Sequence, residues 1–536
     1  MHPIAALMIL LTLSSQSPAG GSQQQHDEPN ELQLGTVHFP VSCDARVQKT
    51  IERGVALLHS FAFETAEMTF TQVAQDDPQC AIAHWGIARS LWRWDAPEAP
   101  IRKRGWAEVV RAKALHPPTK REKEYIASVA ALYKSPDKKD DRRWNRYMDR
   151  LARLHRDFPD DHEATAFYAF ALVGADKDDD PTHAKLRQAA ALLEPLFDSE
   201  PNHPGVAHYL IHAYDKPDLA QLGLPAALRY AQIAPAAPHA LHMPSHIFAQ
   251  LGLWDEDIQS NLASIAASRN AAVTHMGEEG HQYHAMEFLM YAYLQSGRDE
   301  QAKKLIEEVR VLPKMKSMYG GDEDPQVLAL ALYSASYVLE LHLWDKAETL
   351  PLTQGAQLGD DSITYLARAI GGARSGHAEE ARRNVAEIES LYRQVVAKKI
   401  PWADWVDDKR KEAEAWADYA EDKNDEAIQL LSALVDKQKE GMFAAKGNLP
   451  AREMIGDMLL GKNKPEQALA EYEAQLKLNP NRFDSLYGAA RAAEMMKQSG
   501  KAASYYGQLL KICANGNSNR PELRYARDFM SGLAVK

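Results

Sequence analysis

Apolar residues recur every three or four positions over most of this chain, with polar residues between them. The pattern is clear in TIERGVALLHSFAFETAEMTFTQVAQDDP near the N-terminus and in PAREMIGDMLLGKNKPEQALAEYEAQLKLNP near the C-terminus. This period is that of amphipathic helices, and no alternating, strand-like run of comparable strength occurs. Turn-forming residues separate the helical stretches, as in GLWDE, GRDEQA and GKNKPEQA. The pattern predicts an all-α fold of helix hairpins joined by short turns.

Small and aromatic residues repeat at fixed intervals within these hairpins. The C-terminal segment has them at Gly456, Ala468, Tyr472 and Pro480, and the next copy at Ala490, Ala502 and Tyr506. The same spacing recurs near the N-terminus at Gly54, Ala66, Phe70 and Pro78. Over most of residues 40–515 the chain resembles the tetratricopeptide repeat family. The resemblance implies an α-solenoid, a right-handed superhelix in which small residues let paired helices approach and aromatic residues fill the space between hairpins.

Composition and repeat positions divide the chain into five expected segments. These are a signal peptide (1–20), a disordered spacer (21–38), an N-terminal tetratricopeptide-like solenoid with a histidine-rich groove (39–395), a helical connector (396–440) and C-terminal tetratricopeptide repeats (441–536).

The first twenty residues contain an apolar run from Ile4 to Leu13 followed by small and polar residues. Such a run is too short to cross a bilayer but fits the apolar core of an export signal. No other stretch reaches eighteen uninterrupted apolar residues, so we expect an exported protein, periplasmic or secreted, without a transmembrane segment.

The net charge of −12 argues against nucleic acid as the partner. A general nucleic-acid binder needs extended basic surface to neutralise phosphates, and the basic clusters here are short and interleaved with acids. We therefore expect a protein, peptide or small-molecule ligand in the concave groove, and no nucleic acid.

Three cysteines are present, at positions 43, 80 and 513. In an oxidising compartment Cys43 and Cys80 could close a loop of about 37 residues, which would stabilise the fold by roughly 3–4 kcal/mol. Two buried free thiols are the alternative. Cys513 is then left as a small buried residue of a C-terminal helix.

Histidines cluster in the middle of the chain, where nine of the 20 lie between positions 203 and 284. They occur as close pairs in HYLIHAYD, HMPSHIF and HQYHAMEF. In the tetratricopeptide family, positions two, five, nine and twelve of the first helix of each hairpin line the concave groove. The resemblance places on these positions His208, His212, Asp215, His242, His246, His284 and Glu287.

Neutral imidazole is a common ligand for transition metals, and two histidines four residues apart on a helix can present nitrogens to one ion. The leading hypothesis is therefore a transition-metal site for Zn, Cu or Fe. Its candidate ligands are His208, His212, His242, His246, His284 and Glu287, with Asp215, Tyr209, Tyr283 and His281 as second-shell or groove residues. Pro244, between His242 and His246, would make the geometry of that pair only approximate.

Two other functions remain open at this stage. A metal-free scaffold could use the same imidazole and tyrosine surface to bind a peptide or protein. A metal-dependent hydrolase or oxidase could use the same groove if three ligands leave an open position beside an acid such as Glu287. No nucleophile elbow, zinc-protease motif or phosphate-binding loop identifies catalytic residues.

Overall fold

A computed structural model describes residues 33–93, 97–176, 180–273, 279–316, 324–435 and 449–534. The expected signal peptide and residues 21–32 of the expected spacer lie outside this part. Within the described residues the chain forms α-helices and one short 3-10 helix, Ala45–Val47, and no strand. The prediction of an all-α fold in which consecutive helices pack on one another is confirmed in these residues.

The first thirteen helices carry the histidines of HYLIHAYD and HMPSHIF, and the histidines of HQYHAMEF lie on the next helix. In chain order, α1 to α13 are Gln48–His59, Phe63–Asp76, Ala81–Ser90, Ala99–Ala114, Lys120–Tyr133, Arg143–Asp157, His162–Val173, Ala184–Ser199, Pro204–Tyr214, Ala220–Ile233, Pro238–His242, Pro244–Leu251 and Trp254–Val273.

The second half continues the array to the C-terminus. Helices α14 to α26 are His281–Gln295, Asp299–Val309, Pro325–Glu340, Trp344–Glu348, Asp361–Arg374, Ala378–Ala397, Ala403–Ala420, Asn424–Val435, Ala451–Gly461, Pro465–Leu478, Phe483–Met495, Ser499–Ile512 and Pro521–Ala534. None of the helices in the described ranges has the length and apolar character needed to cross a bilayer.

Aromatic side chains fill the space between neighbouring hairpins, as the repeat pattern predicts. Tyr472 is fully buried, and its ring lies against the backbone of Gly456 in its own hairpin and of Gly488 in the next. Near the N-terminus the ring of Phe70 lies in the same way between Gly54 and Gly86. A side chain larger than hydrogen at these glycines would occupy the space of the ring.

The N-terminal stretch before α1 is held on the first hairpins. Cys43 and Cys80 are joined by a disulfide with a sequence separation of 37 residues. Phe39 is buried and stacks on Trp85, with ring centroids 5.3 Å apart. The third cysteine, Cys513, is buried at the end of α25 as a free thiol.

The C-terminal helices return to contact the middle of the chain. The indole nitrogen of Trp254 donates to the carbonyl oxygen of Asn481 at 3.0 Å, although 227 residues separate the two. The buried Arg520 guanidinium donates to Asp299 at 2.7 Å. Arg482 is likewise buried and donates to Glu453 at 2.6 Å and to Glu340 at 2.8 Å. These contacts hold α13, α15 and α16 against the C-terminal helices.

Candidate metal centre

Four helices bring the clustered histidines together. Helix α9 carries His208 and His212, α11 carries His239 and His242, α12 carries His246, and α14 carries His281 and His284. Each spacing of three or four residues places the two side chains on one helical face.

The α11–α12 segment keeps its histidines on one face despite the proline between them. Met243 has helical dihedral angles, φ −52° and ψ −34°, and links the end of α11 directly to the start of α12. Pro244 occupies the first turn of α12, where its missing N–H costs least. The distance from His242 Nε2 to His246 Nε2 is 3.0 Å. Pro244 therefore does not separate the imidazoles of His242 and His246, although we expected it to disturb their arrangement.

Six of the imidazoles form two groups of three, and within each group the candidate ligand atoms lie within 4.8 Å of one another. We call His242, His246 and His284 the outer cluster, and His208, His212 and His239 the inner cluster. The two clusters are neighbours, with the ring centroids of His212 and His246 6.3 Å apart.

Hydrogen bonds determine which nitrogen carries the proton in two rings of the outer cluster. His246 Nδ1 lies 2.8 Å from Asp215 Oδ2, and a carboxylate oxygen accepts a proton. His242 Nδ1 lies 2.7 Å from Asn261 Oδ1. The amide of Asn261 is oriented by its Nδ2, which donates to the backbone carbonyl of Asp257 at 3.0 Å. Both Nδ1 atoms are therefore donors, as is usual for metal-binding histidines.

It follows that the facing Nε2 atoms of His242 and His246 both carry lone pairs. Two lone pairs 3.0 Å apart repel each other unless a cation lies between them. Two nitrogens bound to one metal at about 2.0–2.1 Å stand about 2.8–3.4 Å apart for bond angles of about 90–110°. The spacing thus suits either one shared metal ion or one shared proton. His284 adds a third imidazole, with its ring centroid 4.4 Å from that of His242.

In the inner cluster, His208 Nδ1 donates to the backbone carbonyl of His59 at 2.5 Å. Its Nε2 lies 3.1 Å from His239 Nε2. His239 Nδ1 is buried and has no hydrogen-bond partner among the described residues. An N–H of His239 donating to His208 therefore satisfies this pair without an ion.

Burial keeps most of these imidazoles neutral. Desolvation lowers the pKa of His208, His239 and His242 well below the usual value, and neighbouring imidazoles act in the same direction. Burial lowers the pKa of His212 to about 3. Burial also lowers the pKa of His284, although the neighbouring Glu287 carboxylate opposes the shift. Neutral imidazoles have the lone pairs that metal binding requires.

Two carboxylates lie beside the outer cluster. Burial acts to raise the pKa of Asp215, but the His246 imidazole outweighs it and the net pKa is lowered, so this side chain is ionised. Glu287 Oε2 lies 3.5 Å from His284 Nδ1. The side chains of His284 and Glu287 are 25% and 22% exposed, so this edge of the cluster reaches solvent.

Two further groups of possible ligands are already occupied by other interactions. Cys43 and Cys80, near Asp77, form the disulfide. In the other group, His203 Nε2 lies 3.0 Å from Glu163, while its Nδ1 accepts the backbone N–H of Val206. His59 Nε2 lies 2.6 Å from the same carboxylate. Neither group has the free lone pairs of the outer cluster.

The remaining predicted site residues lie around the clusters. Tyr209 is fully buried and faces away from the ligand nitrogens, with its hydroxyl 2.9 Å from His59 Nδ1. Tyr283 is almost buried, and its carbonyl oxygen accepts the hydroxyl of Tyr333 at 3.0 Å. The ring of His281 lies 5.4 Å from that of His239. The clustered histidines are thus largely buried between hairpins, whereas the repeat resemblance implied an open groove wall.

Two functional candidates were missing from the predicted site. His239 completes the inner cluster, and Asn261 orients His242. The spacing of three residues between His239 and His242 in PHALH could have indicated the first. Asn261 lies on α13 and carries no local signal, because its role depends on how that helix packs on α11.

No family model and no curated protein matches the chain. Among solved structures, the human IFIT1 dimer with m7Gppp-AAAA has a TM-score of 0.36 and 10% identity, covering 85% of this chain and 95% of that one. The P58(IPK) TPR domain has a TM-score of 0.21 and 16% identity, covering 85% and 100%. The APC/C hetero-tetramer Cut9–Hcn1 has a TM-score of 0.26 and 11% identity, covering 78% and 85%. These scores are too low to assign a ligand.

Proposed function

We propose that this chain is an exported, tetratricopeptide-like binding protein that holds a transition-metal ion in the outer cluster. The observation that carries the proposal is the pair of lone pairs on His242 and His246, which face each other at 3.0 Å with His284 beside them. A proton shared between His242 Nε2 and His246 Nε2 would relieve the repulsion between these two nitrogens, but it would leave His284 without a role. A metal ion uses all three.

The surroundings of the cluster suit a divalent ion. Imidazole brings no charge when it binds a metal, and the carboxylates of Asp215 and Glu287 lie at the outer nitrogens of His246 and His284. Zn²⁺ with three protein ligands keeps its fourth position for water or substrate, and the exposed edge at His284 gives access to it. Zn, Cu and Fe all bind imidazole, so the choice among them is left to measurement.

Export is part of the proposal. The N-terminal sequence has the pattern of a signal peptide, and the disulfide between Cys43 and Cys80 is of a kind that persists in oxidising compartments.

Metal content of the purified chain tests the proposal. The protein is stripped with a chelator, incubated with Zn²⁺, Cu²⁺ or Fe²⁺ at neutral pH, and analysed by mass spectrometry of the metal after gel filtration. We expect stoichiometric uptake of at least one of these ions, and at least tenfold weaker binding in His246→Ala and His284→Ala at unchanged helical content. His377→Ala is the matched control, because this exposed histidine pairs with Glu348 away from both clusters.

A wild-type chain that stays metal-free after reconstitution would contradict the proposal. Nitrogen-15 NMR would then show a proton shared between His242 and His246, and the metal-free peptide-binding scaffold would take its place. Unchanged uptake in both His246→Ala and His284→Ala would also contradict it, because the ion would then lie elsewhere.

A further inference from the structure

The hairpin of α16 and α17 has a short second helix. Helix α17 has five residues, whereas α15 and α19, the second helices of the hairpins on either side, have 11 and 20. Pro351 follows soon after α17, and proline has no N–H for a helical hydrogen bond and disfavours helical dihedral angles at the residue before it, Leu350. The next helix begins only at Asp361, so no further turns of α17 cover the faces of α15 and α16 beside it.

A pocket of about 510 Å³ lies at this early end, between α15, α16 and the residues that follow α17, and we call it the α17 pocket. Its walls include the apolar side chains of Ile306 on α15, Leu330 and Val338 on α16, and Leu350 and Leu352 after α17. Leu352 is 41% exposed, so part of this apolar surface is open to a ligand. A pocket of this size with apolar walls is typical of sites for small organic molecules.

Positive charge also lines the α17 pocket. Lys303 and Arg310 lie about two turns apart on one face of α15, and Lys346 lies on α17. None of these three side chains forms an ion pair with another residue of the described ranges. Glu307 supplies the single carboxylate among the described residues that line the pocket. The α17 pocket is therefore positive, although the net charge of the chain is −12.

We propose that the α17 pocket binds an organic anion with an apolar body, such as a medium-chain carboxylate. The apolar body is buried against Ile306, Leu330 and Leu350, and burial of apolar surface favours binding. The head group pairs with the Arg310 guanidinium, whose parallel N–H donors match a carboxylate, and with the Lys303 ammonium. A cation of the same shape would gain the apolar contribution but would be repelled by these side chains. This inference goes beyond the proposed metal site and does not depend on it.

Isothermal titration calorimetry of the full chain with decanoate, kept below its micellar concentration, tests the pocket. Decyltrimethylammonium has the same alkyl chain and the opposite charge. We expect decanoate to bind to one site per chain, at least tenfold more tightly than decyltrimethylammonium. The titration is repeated on chelator-stripped protein, because a carboxylate could also bind a metal ion in the outer cluster, and we expect the same affinity there.

Two variants change the pocket in different ways. Lys303→Gln combined with Arg310→Gln removes two positive charges, and Ser334→Trp places a large side chain in the pocket while keeping the charges. We expect each to lower the affinity for decanoate at least tenfold, at helical content that circular dichroism shows to be unchanged. Lys304→Gln is the matched control, because Lys304 is an exposed lysine of the same helix that does not line the pocket.

The outcomes separate the α17 pocket from the metal site. A chain that does not bind decanoate, or binds decyltrimethylammonium equally well, overturns the pocket. Affinity that is unchanged in both pocket variants also overturns it, because the ligand would then lie elsewhere. Binding of decanoate only to metal-loaded protein overturns the pocket and places the carboxylate at the outer cluster. Binding to the metal-free chain that is lost in the pocket variants supports the pocket, whether or not the outer cluster takes up metal.

Discussion

Asp215 directly follows α9 and accepts a hydrogen bond from His246 Nδ1 at 2.8 Å, while its other oxygen accepts one from Gln250 at 3.2 Å. The carboxylate therefore fixes both the rotation and the tautomer of His246. It also places a negative charge behind the ligand nitrogen, which makes Nε2 a stronger donor to a metal. In physical terms Asp215 is a positioning residue for the outer cluster, although it offers no ligand atom in this arrangement.

Replacing Asp215 with asparagine tests this role. Asp215→Asn keeps the shape and a hydrogen-bond acceptor but removes the charge. We expect the affinity of the outer cluster for Zn²⁺ to fall about 10- to 100-fold, with helical content unchanged, as measured by competition with a chromophoric chelator.

The matched control for this change is Asp218→Asn. Asp218 is 55% exposed and pairs with Arg187 and His183, outside both clusters. Equal zinc affinity in Asp215→Asn and the wild type would show that the carboxylate does not act through His246.

At the scale of single residues, the sequence predicted part of the site. The pairs His208/His212 and His242/His246 followed from helical spacing and do lie together. Their division into two clusters did not follow, because it depends on His239 and on how closely α9, α11 and α14 approach. Tyr209 shares the helix of His208 but faces His59, since one residue along a helix turns the side chain by about 100°.

At the scale of the helix hairpin, glycine positions set how closely helices approach. A Cβ built on Gly488 would lie 2.3–2.7 Å from ring atoms of Tyr472, and the Tyr472 hydroxyl is held by Asp457 at 2.6 Å. The ring is thus fixed at both ends and has little freedom to move aside. The repeat pattern predicted the packing of Tyr472 on Gly456, which recur at fixed positions, but Gly488 was not among the predicted positions.

Two alanine substitutions in neighbouring helices should have opposite effects on stability. Gly488→Ala should lower the free energy of unfolding by roughly 1–3 kcal/mol, because the added methyl group overlaps Tyr472. Gly507→Ala should raise it by about 0.5–1 kcal/mol, because Gly507 lies within α25 with nothing near its missing Cβ and alanine favours the helix. Urea unfolding followed by circular dichroism measures both. A loss of stability in Gly507→Ala as large as in Gly488→Ala would show that contact with Tyr472 is not the cause.

At the scale of the whole molecule, the return of the C-terminal helices was not predictable from the sequence. The contacts of Trp254 with Asn481 and of Arg520 with Asp299 join residues more than 200 positions apart. Buried arginines have no periodic signature, and a solenoid pattern specifies contacts between adjacent repeats only. We call this contact between the C-terminal helices and the middle of the chain the closure. It depends on the accumulated rotation of all the hairpins between α15 and α24, which no local stretch of sequence encodes.

His342 lies at this closure, between helices that are distant in the chain. It follows α16, and its ring nitrogens lie 3.5 Å from Asp484 on α24 and 3.0 Å from Glu522 on α26. Burial acts to lower the pKa of His342, but Asp484 and Glu522 outweigh it and raise the pKa to about 9. Burial raises the pKa of Asp484 itself, whereas His342 holds the pKa of Glu522 below its usual value against burial, so Glu522 is the ionised partner. The protonated imidazole therefore links the last repeats to the middle of the chain.

The stability of the closure should consequently depend on pH. A histidine whose pKa is higher in the folded than in the unfolded chain stabilises the fold fully below the unfolded value of about 6.5, and this contribution is lost as the pH rises towards 9. We expect His342→Gln to lower the free energy of unfolding by roughly 2 kcal/mol at pH 6 and by much less at pH 9, allowing for partial exposure of the ring. Urea unfolding of both proteins at the two pH values measures the difference, with His377→Gln as the exposed control. A cost that is the same at pH 6 and pH 9 would mean that His342 acts by packing, because only its charge is removed as the solution becomes alkaline.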